Sequence, residues 1–284
     1  MRLPHILAGV ALLVGVVACS DHPMAPSPPS APAFIINGTP TGDRYPEVGA
    51  LVLTSDNTPF CSGVLISPTL FLTAGHCEYF WTSTLNHGDY GVTFDPVVTA
   101  HSPVVLATGY LHPDWHIVEP FTETFTINND VSVFVLDHPV RNIRPAKLPE
   151  ENILDELNSE GKLARMMFET VGYGNTDLLP DSPVGVGTRR VARQGFLELM
   201  SDHDHLRLNE SPGGSSYFDS GGPHYFAGTH VIASTTSGGS GGLGDPLIID
   251  ETTRTDTRSV LRFVRSFMNE CNHSERRGCR ERDH

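Results

Sequence analysis

The stretch LFLTAGHC, at residues 70–77, decides the fold of this 284-residue chain. Its first four residues form a short apolar run typical of a buried β-strand, and the small residues Ala74 and Gly75 end that run. A histidine, His76, follows directly and is joined to a cysteine, Cys77. A histidine at the end of a buried strand is either structural or a candidate for acid–base chemistry, and the rest of the sequence has to decide which.

Two other segments complete a set of three reactive side chains. Residues 128–134 read NNDVSVF and place Asp130 directly before an apolar run, and residues 218–223 read FDSGGP around Ser220. A serine hydroxyl is a weak nucleophile and needs a base that accepts its proton as it attacks. Histidine has a suitable pKa, and a carboxylate holds its tautomer and stabilises the imidazolium. The three residue types together indicate nucleophilic catalysis by Ser220.

Short apolar runs recur along the chain between turn-forming residues, which is typical of antiparallel strands. The terminal stretch Asp256–Asn269 differs, because Val260, Leu261, Val264 and Met268 fall on one helical face. The pattern predicts an all-β protein with one C-terminal α-helix. The strand candidates are Val48–Thr54, Ser62–Ile66, Leu70–Thr73, Val104–Tyr110, Val131–Leu136, Met167–Val171, Val191–Leu199 and His230–Ser234.

The composition excludes several classes of protein. Only 18% of the residues are charged, and 27 glycines and 22 prolines favour loops over a helical bundle. The formal net charge of −14 argues against nucleic-acid binding, which depends on neutralising phosphates. The sequence shows no calcium loop of recognisable spacing and no metal-ligand spacing around its cysteines. We therefore predict neither a metal nor a cofactor.

The N-terminal residues predict export. The apolar stretch Ile6–Val17 follows Arg2 and is too short for a membrane-spanning helix. It ends at Val-Val-Ala-Cys19, which resembles a bacterial lipobox, whose cysteine carries lipid; an ordinary signal peptide is the alternative. We expect a signal peptide at 1–18, a Pro-rich tether at 19–34, and either a cell-envelope lipoprotein held at the membrane by Cys19 or a secreted protein.

The three reactive segments resemble the TAAHC, NNDIALL and GDSGGP signatures of the trypsin/chymotrypsin family. They occur in the family's order, and 54 and 90 residues separate the reactive side chains. Residues 35–38 (IING) are similar to the family's mature N-terminus, IVGG, and residues 171–176 (VGYGNT) to its GWGNT loop. The resemblance covers Ile35 to Met268.

The resemblance implies two antiparallel six-stranded β-barrels, at about 35–150 and 151–255, within a peptidase domain of residues 35–269. A helix at 256–269 and a tail at 270–284 follow. The catalytic triad is then His76 and Asp130 from the first barrel and Ser220 from the second, and the site lies in the cleft between them. A monomeric serine endopeptidase acting on proteins or peptides is the function implied.

The resemblance also assigns supporting roles. The oxyanion hole is formed by the backbone N–H groups of Ser220 and Phe218, where the family has glycine at the second position. A cut after Phe34 by an activating protease would free the amine of Ile35 to pair with Asp219. Release of the domain from a lipid on Cys19 would follow from the same cut.

Substrate choice is implied less directly. The residue at the pocket floor is Gly214, and the substrate-binding strand aligns with residues 231–236, which places Ser234 and Thr236 at the pocket. Asp250 is a candidate for the pocket wall, with a surface turn as the alternative. These residues favour small or medium apolar side chains before the cut.

The cysteines allow several pairings. If Cys19 carries lipid, four of the five cysteines remain, and four allow three pairings. Near neighbours suggest Cys61 with Cys77 and Cys271 with Cys279, and the family resemblance implies the first of these.

Two other functions compete with a peptidase. The family's pocket disulfide is absent here, since Ser216 stands in place of one of its cysteines and about Gly239 in place of the other. This absence and Phe218 are compatible with an inactive or weakly active binding protein on the same scaffold. An esterase-like acyl hydrolase using the same triad is the third possibility, although no G-x-S-x-G motif surrounds Ser220.

Overall fold

A computed structural model describes residues 35, 37–117, 127–175, 185–200, 205–209, 213–240 and 248–274, with side chains up to residue 268. The signal peptide, the tether with Cys19 and Phe34, and Cys279 lie outside these residues. No helix among the described residues is long and apolar enough to cross a membrane.

Six antiparallel strands close the first barrel. Around the barrel they follow the order β2-β3-β4-β9-β6-β5. Their bounds are Val48–Leu53 (β2), Pro59–Ser67 (β3), Leu70–Thr73 (β4), Tyr90–Thr93 (β5), Val105–Leu111 (β6) and Ser132–Leu136 (β9). Three further short strands occur in the same part of the described chain but outside this barrel: Thr39–Pro40 (β1), His116–Ile117 (β7) and Ile127–Asn128 (β8).

The second barrel also consists of six antiparallel strands. They pair in the order β11-β10-β13-β14-β15-β12, the ring closes by a β11–β12 pairing, and β1 adds to the edge of β11. Their bounds are Met167–Gly172 (β10), Arg190–Met200 (β11), His205–Asn209 (β12), Pro223–Phe226 (β13), Ile232–Ser240 (β14) and Ile249–Arg254 (β15). The predicted two-barrel fold is confirmed.

Strands β2, β3 and β4 of the first barrel are buried on both faces, because their alternate side chains enter two different cores. Val48, Ala50 and Val52 of β2 join the core that the two barrels share, whereas Leu51 between them points into the interior of the first barrel. This period of two is what a pleated strand imposes. Burial of apolar surface contributes about 25 cal/mol per Å² to the free energy of folding, so both cores stabilise the barrel.

Three α-helices among the described residues accompany the barrels. They are a single turn at Gly75–Cys77 (α1), Ile153–Ser159 (α2) and the terminal Arg258–Ser274 (α3), and a π-helical turn at Glu78–Thr82 and a 3₁₀ turn at Leu163–Arg165 add to them. Val260 and Val264 of α3 pack into the core that the barrels share. The terminal helix extends to Ser274, five residues beyond its predicted end at Asn269, so the expected tail begins later.

Candidate active site

Strand pairing brings His76 and Asp130 together. His76 lies in α1, which follows β4, and Asp130 lies just before β9; β4 and β9 pair with Thr73 opposite Ser132. The His76 Nδ1 atom is 2.7 Å from Asp130 Oδ2, and the backbone N–H of His76 donates to Asp130 Oδ1 at 2.7 Å. The Asp130 side chain is fully buried, whereas that of His76 retains 14% exposure. The ring nitrogen Nε2 therefore remains for a second partner.

The charges of this pair are coupled. Burial opposes the imidazolium form of His76, but the charge and hydrogen bond of Asp130 outweigh it, so the pKa of His76 is raised. Burial also opposes the carboxylate form of Asp130, but His76 and Ser237 outweigh it, and the pKa of Asp130 is lowered. Asp130 thus stays ionised while His76 gains and loses a proton, as a general base requires.

Two further side chains bind Asp130 that sequence reasoning missed. Ser237 Oγ donates to Asp130 Oδ2 at 2.6 Å, and Trp115 Nε1 donates to Asp130 Oδ1 at 3.1 Å. Residues 237–239 read Ser-Gly-Gly and retain the serine and last glycine of the family's Ser-Trp-Gly strand, which was the available signal. No comparable signal marked Trp115.

The predicted roles of Ser234 and Thr236 in the substrate pocket are wrong, as the contact of Ser237 with Asp130 indicates. Both side chains are buried inside the second barrel, where Ser234 Oγ accepts from Thr252 Oγ1 at 2.7 Å and Thr236 Oγ1 lies 2.9 Å from His224 Nε2. The alignment was wrong by three residues, because the Gly-rich stretch that follows offers no apolar pattern to fix the register.

The loop that carries Ser220 packs against the strands that lead to His76. The backbone N–H of Ser62 donates to the Ser220 carbonyl at 2.9 Å. At the next residue, Gly221, an added Cβ would lie 2.0 Å from Thr73 Oγ1, so only glycine permits this approach. Cys77 Sγ lies 3.7 Å from the Ser220 carbonyl oxygen, and Cys77 is bonded to Cys61, as expected. The nucleophile candidate and the histidine segment are therefore neighbours.

The family resemblance assigns two backbone N–H groups, those of Phe218 and Ser220, to the oxyanion hole. Among the described residues, neither Phe218 N nor Ser220 N donates to a protein acceptor. Phe218 adopts the left-handed region at φ 74°, which explains why the family has glycine there. The Phe218 carbonyl accepts from Ser62 Oγ at 3.1 Å. Phe218 thus has the left-handed backbone conformation that favours glycine. A residue with a side chain is strained in that conformation, by roughly 1–2 kcal/mol.

Replacing Phe218 with Gly should relieve this strain. We expect the free energy of unfolding to rise by about 0.5–1 kcal/mol, since the gain is partly offset by the greater freedom of glycine in the unfolded chain. Urea unfolding in a Ser220→Ala background, which avoids self-digestion, measures the change. Phe218→Ala is the matched control: it removes the ring but keeps Cβ, and should bring no gain. Equal destabilisation by both variants would show that ring contacts, and not strain, dominate at this position.

Asp219 is a buried carboxylate whose bonds come from backbone donors. It accepts from Gly174 N at 2.8 Å and from Ser216 N at 3.0 Å, and it is 1% exposed. No Lys, Arg or His among the described residues forms an ion pair with it. Burial raises the pKa of Asp219 to about 7, although those two N–H groups oppose the shift. Ile35 is buried and left-handed at φ 32°, and no bond joins it to Asp219 in the uncut chain.

The raised pKa of Asp219 makes the uncut chain less stable as pH rises. Between pH 3.8 and about 7, Asp219 is protonated in the folded state but ionised in the unfolded state. Its contribution to the free energy of unfolding is therefore fully present below pH 3.8 and is lost as the pH rises through that window. Relative to the parent, uncut Asp219→Asn should gain on the order of 4 kcal/mol across the window. Urea unfolding at several pH values measures this gain. It should disappear in protein cut at Ile35, and a gain independent of pH would contradict it.

The substrate-pocket candidates Gly214 and Asp250 lie near one another. Asp250 Oδ2 accepts from the N–H of Ser215, the residue after Gly214, at 3.4 Å, and from Gln194 Nε2 at 2.8 Å. Asp250 is fully buried and lies opposite Gly239 in the β14–β15 ladder, which excludes a surface turn. His224 lies 3.6 Å away, and burial lowers its pKa against the attraction of Asp250.

The predicted pairing of Cys271 with Cys279 lies outside the described side chains. Cys271 lies in α3, with its side chain outside the described part, as is Cys279. Among the described residues, the potential metal ligands that cluster are Cys61, His76 and Cys77, and the disulfide removes both sulfurs from that set.

Comparisons with known proteins agree with this geometry. The sequence model of the family described as Trypsin matches residues 35–255, which is most of the chain and includes all three reactive side chains. The chain is also similar to a trypsin of Phaedon cochleariae, with 35% identity over 94 residues, which cover 32% of this chain and 33% of that protein. The matched region thus spans about a third of that trypsin.

Proposed function

We propose that this chain, which belongs to the trypsin family, is a serine endopeptidase that forms an acyl-enzyme on Ser220. The observation that carries the proposal is the contact of His76 Nδ1 with the buried Asp130 carboxylate at 2.7 Å. That contact leaves Nε2 as the base, and the Ser220 loop packs against the same segment.

The reaction follows from the roles of the three side chains. Ser220 Oγ attacks the carbonyl carbon of the peptide bond while His76 Nε2 takes the hydroxyl proton, and Asp130 stabilises the imidazolium. The free N–H groups of Ser220 and Phe218 donate to the resulting oxyanion. As the C–N bond breaks, His76 returns the proton to the leaving amine. Water then attacks the acyl-enzyme in the same way, releases the acid and restores Ser220.

We further propose that the enzyme is made as a zymogen. Asp219 is a buried acid without a cation among the described residues, which supports a need for one. A cut between Phe34 and Ile35 would create an ammonium group that Asp219 can bind, and this would order the loop from Ser216 to Ser220. If Cys19 carries lipid, the same cut releases the exported domain from the membrane.

For the substrate, we propose small or medium apolar side chains before the cleaved bond. Gly214 leaves the pocket floor without a charge, and the carboxylate of Asp250 is already bound by Gln194 and Ser215 N. These contacts support a pocket in which Asp250 is structural. One ground for the binding-protein alternative is Phe218, but the N–H of Phe218 has no acceptor among the described residues, so Phe218 itself does not favour that alternative.

Digestion of an unfolded protein tests the function. Protein cut at Ile35 is incubated with reduced, alkylated casein, and mass spectrometry identifies the new termini. We expect cleavage after small or medium apolar residues, and none by the Ser220→Ala variant. Cleavage after Lys or Arg would assign Asp250 to substrate binding. Equal cleavage by the variant would reveal a contaminating protease, and absence of cleavage would favour the binding protein.

A further inference from the structure

Trp115 is bound to the catalytic carboxylate through its indole. Its Nε1 donates to Asp130 Oδ1 at 3.1 Å, the same oxygen that accepts the backbone N–H of His76 at 2.7 Å. With His76 Nδ1 and Ser237 Oγ on Oδ2, the carboxylate accepts four hydrogen bonds, two on each oxygen. A buried carboxylate needs such donors because burial removes its water.

Local pairing brings the indole to this place. Trp115 directly precedes β7, Asp130 follows β8 by two residues, and these strands pair with His116 opposite Asn128. Trp115 and Asp130 therefore both lie just beyond the same end of one short ladder.

Gly75 makes room for the indole. An added Cβ at Gly75 would lie 2.5 Å from Trp115 Cδ1 and 2.9 Å from Trp115 Nε1. The signature resembled by this segment, TAAHC, has alanine at this position, and an alanine here would displace the ring. The glycine before His76 and the tryptophan beside Asp130 thus form a matched pair.

The outer face of the indole is covered by Tyr79. The two rings stack with centroids 4.3 Å apart and planes at 27°. Tyr79 lies in the π-helical turn Glu78–Thr82, which begins directly after the disulfide-bonded Cys77. The Cδ1–Nε1 edge of the indole therefore lies against Gly75 while its ring stacks on Tyr79, and both residues belong to the segment around His76.

We propose that Trp115 is a positioning residue that orients Asp130 toward His76 and, with Gly75, forms a unit that acts through the triad. This inference rests on the proposed function for its kinetic consequence, but its geometric part does not require turnover. Among the described residues, His76 is the titratable group that acts on Asp130. The indole donor competes with His76 for the negative charge of the carboxylate.

Removing that donor should make His76 a stronger base that is protonated over more of the pH range. Without the indole N–H, the Asp130 charge acts more strongly on the imidazolium, so the pKa of His76 rises. The acid limb of the pH profile of kcat/KM should then move to higher pH by about half a unit to one unit. At neutral pH, kcat should fall about threefold to tenfold with little change in KM, since hydrogen bonds to charged groups are among the stronger ones.

The first test is nuclear magnetic resonance of the Ser220→Ala protein labelled with ¹⁵N-tryptophan. The chain has two tryptophans, so two indole N–H signals are expected, and Trp81→Phe identifies that of Trp115. Trp81 stacks on Phe60 and serves as the matched control. We expect the Trp115 signal to shift with the pH at which His76 titrates. A Trp115 signal that exchanges rapidly with solvent and does not shift would overturn the proposal.

The second test is kinetic and uses the cut enzyme. Trp115→Phe should show the shifted acid limb, and Trp81→Phe should match the parent. Gly75→Ala should shift the acid limb of the pH profile as Trp115→Phe does, because the added methyl group displaces the indole. In a Trp115→Ala background, where no indole remains to be displaced, Gly75→Ala should not shift the profile further. An unshifted profile in Trp115→Phe would contradict a positioning role. Because the indole signal needs no activity, an inactive parent would count against the proposed function and leave the first test to decide this one.

Discussion

Asp130→Asn should lower kcat about 10⁴-fold, a loss of the size that this change causes in trypsin-like triads. The amide of asparagine offers an N–H where the carboxylate offers an acceptor. Four donors now meet Asp130: His76 N, His76 Nδ1, Trp115 Nε1 and Ser237 Oγ. The amide accepts hydrogen bonds only through its oxygen, so its NH₂ group would face one of these donors. His76 would then adopt the tautomer in which Nδ1 accepts and Nε2 carries the proton. Nε2 then cannot serve as the base for Ser220.

Steady-state kinetics of the cut enzyme with a peptide substrate measure this effect. KM should change little, because Asp130 is fully buried and does not contact substrate. Asp137→Asn is a suitable control, since Asp137 also contacts a histidine, His87, but at an exposed site. A loss of less than tenfold in Asp130→Asn would show that Asp130 does not hold the catalytic tautomer.

Cutting the chain between Phe34 and Ile35 should raise kcat/KM about 10²–10⁴-fold, because a buried ion pair that lacks one partner costs roughly 3–5 kcal/mol. In the uncut chain Asp219 is held by two backbone donors and lacks a cation among the described residues. A new ammonium group at Ile35 would pair with it and order the adjoining N–H groups of Phe218 and Ser220.

The comparison uses one protein before and after processing, with terminal sequencing to confirm Ile35. Asp219→Asn should remain at the low activity of the uncut form even after cutting, because it cannot form the ion pair. Equal activity before and after cutting would discard the zymogen while retaining the peptidase. High activity of the cut Asp219→Asn variant would show that another group orders the loop.

The sequence predicted the first barrel better than the second, and the reason is the polarity of the second. All eight predicted runs overlap strands, because each is rich in apolar or β-branched residues, although His230–Ser234 covers only the first three residues of β14. By contrast β15, with sequence IDETTR, is polar, yet five of its six residues are buried between β12 and β14. Its polar side chains bind groups on neighbouring strands, as Thr252 does with Ser234 of β14, so no apolar alternation marked it.

The candidate site shows the same division. His76, Asp130 and Ser220 stood in motifs whose order and spacing are rare by chance, and they could be assigned from sequence. Ser237 was missed because a strand that ends in glycines has no side-chain pattern to set its register. Trp115 was missed because its role depends on a contact across a short ladder and on the small residue Gly75. Contacts of this kind depend on three-dimensional packing that local sequence does not record.

The most direct test of the central claim is labelling by a serine-directed fluorophosphonate, with the modified residue mapped by mass spectrometry. Protein cut at Ile35 is compared with the uncut chain and with cut Ser220→Ala. We predict one label on the cut protein, located on Ser220, with much slower labelling of the uncut chain and none of the variant. Failure of the cut, folded protein to react, or a label on any other residue, would contradict the assignment of Ser220 as the activated nucleophile.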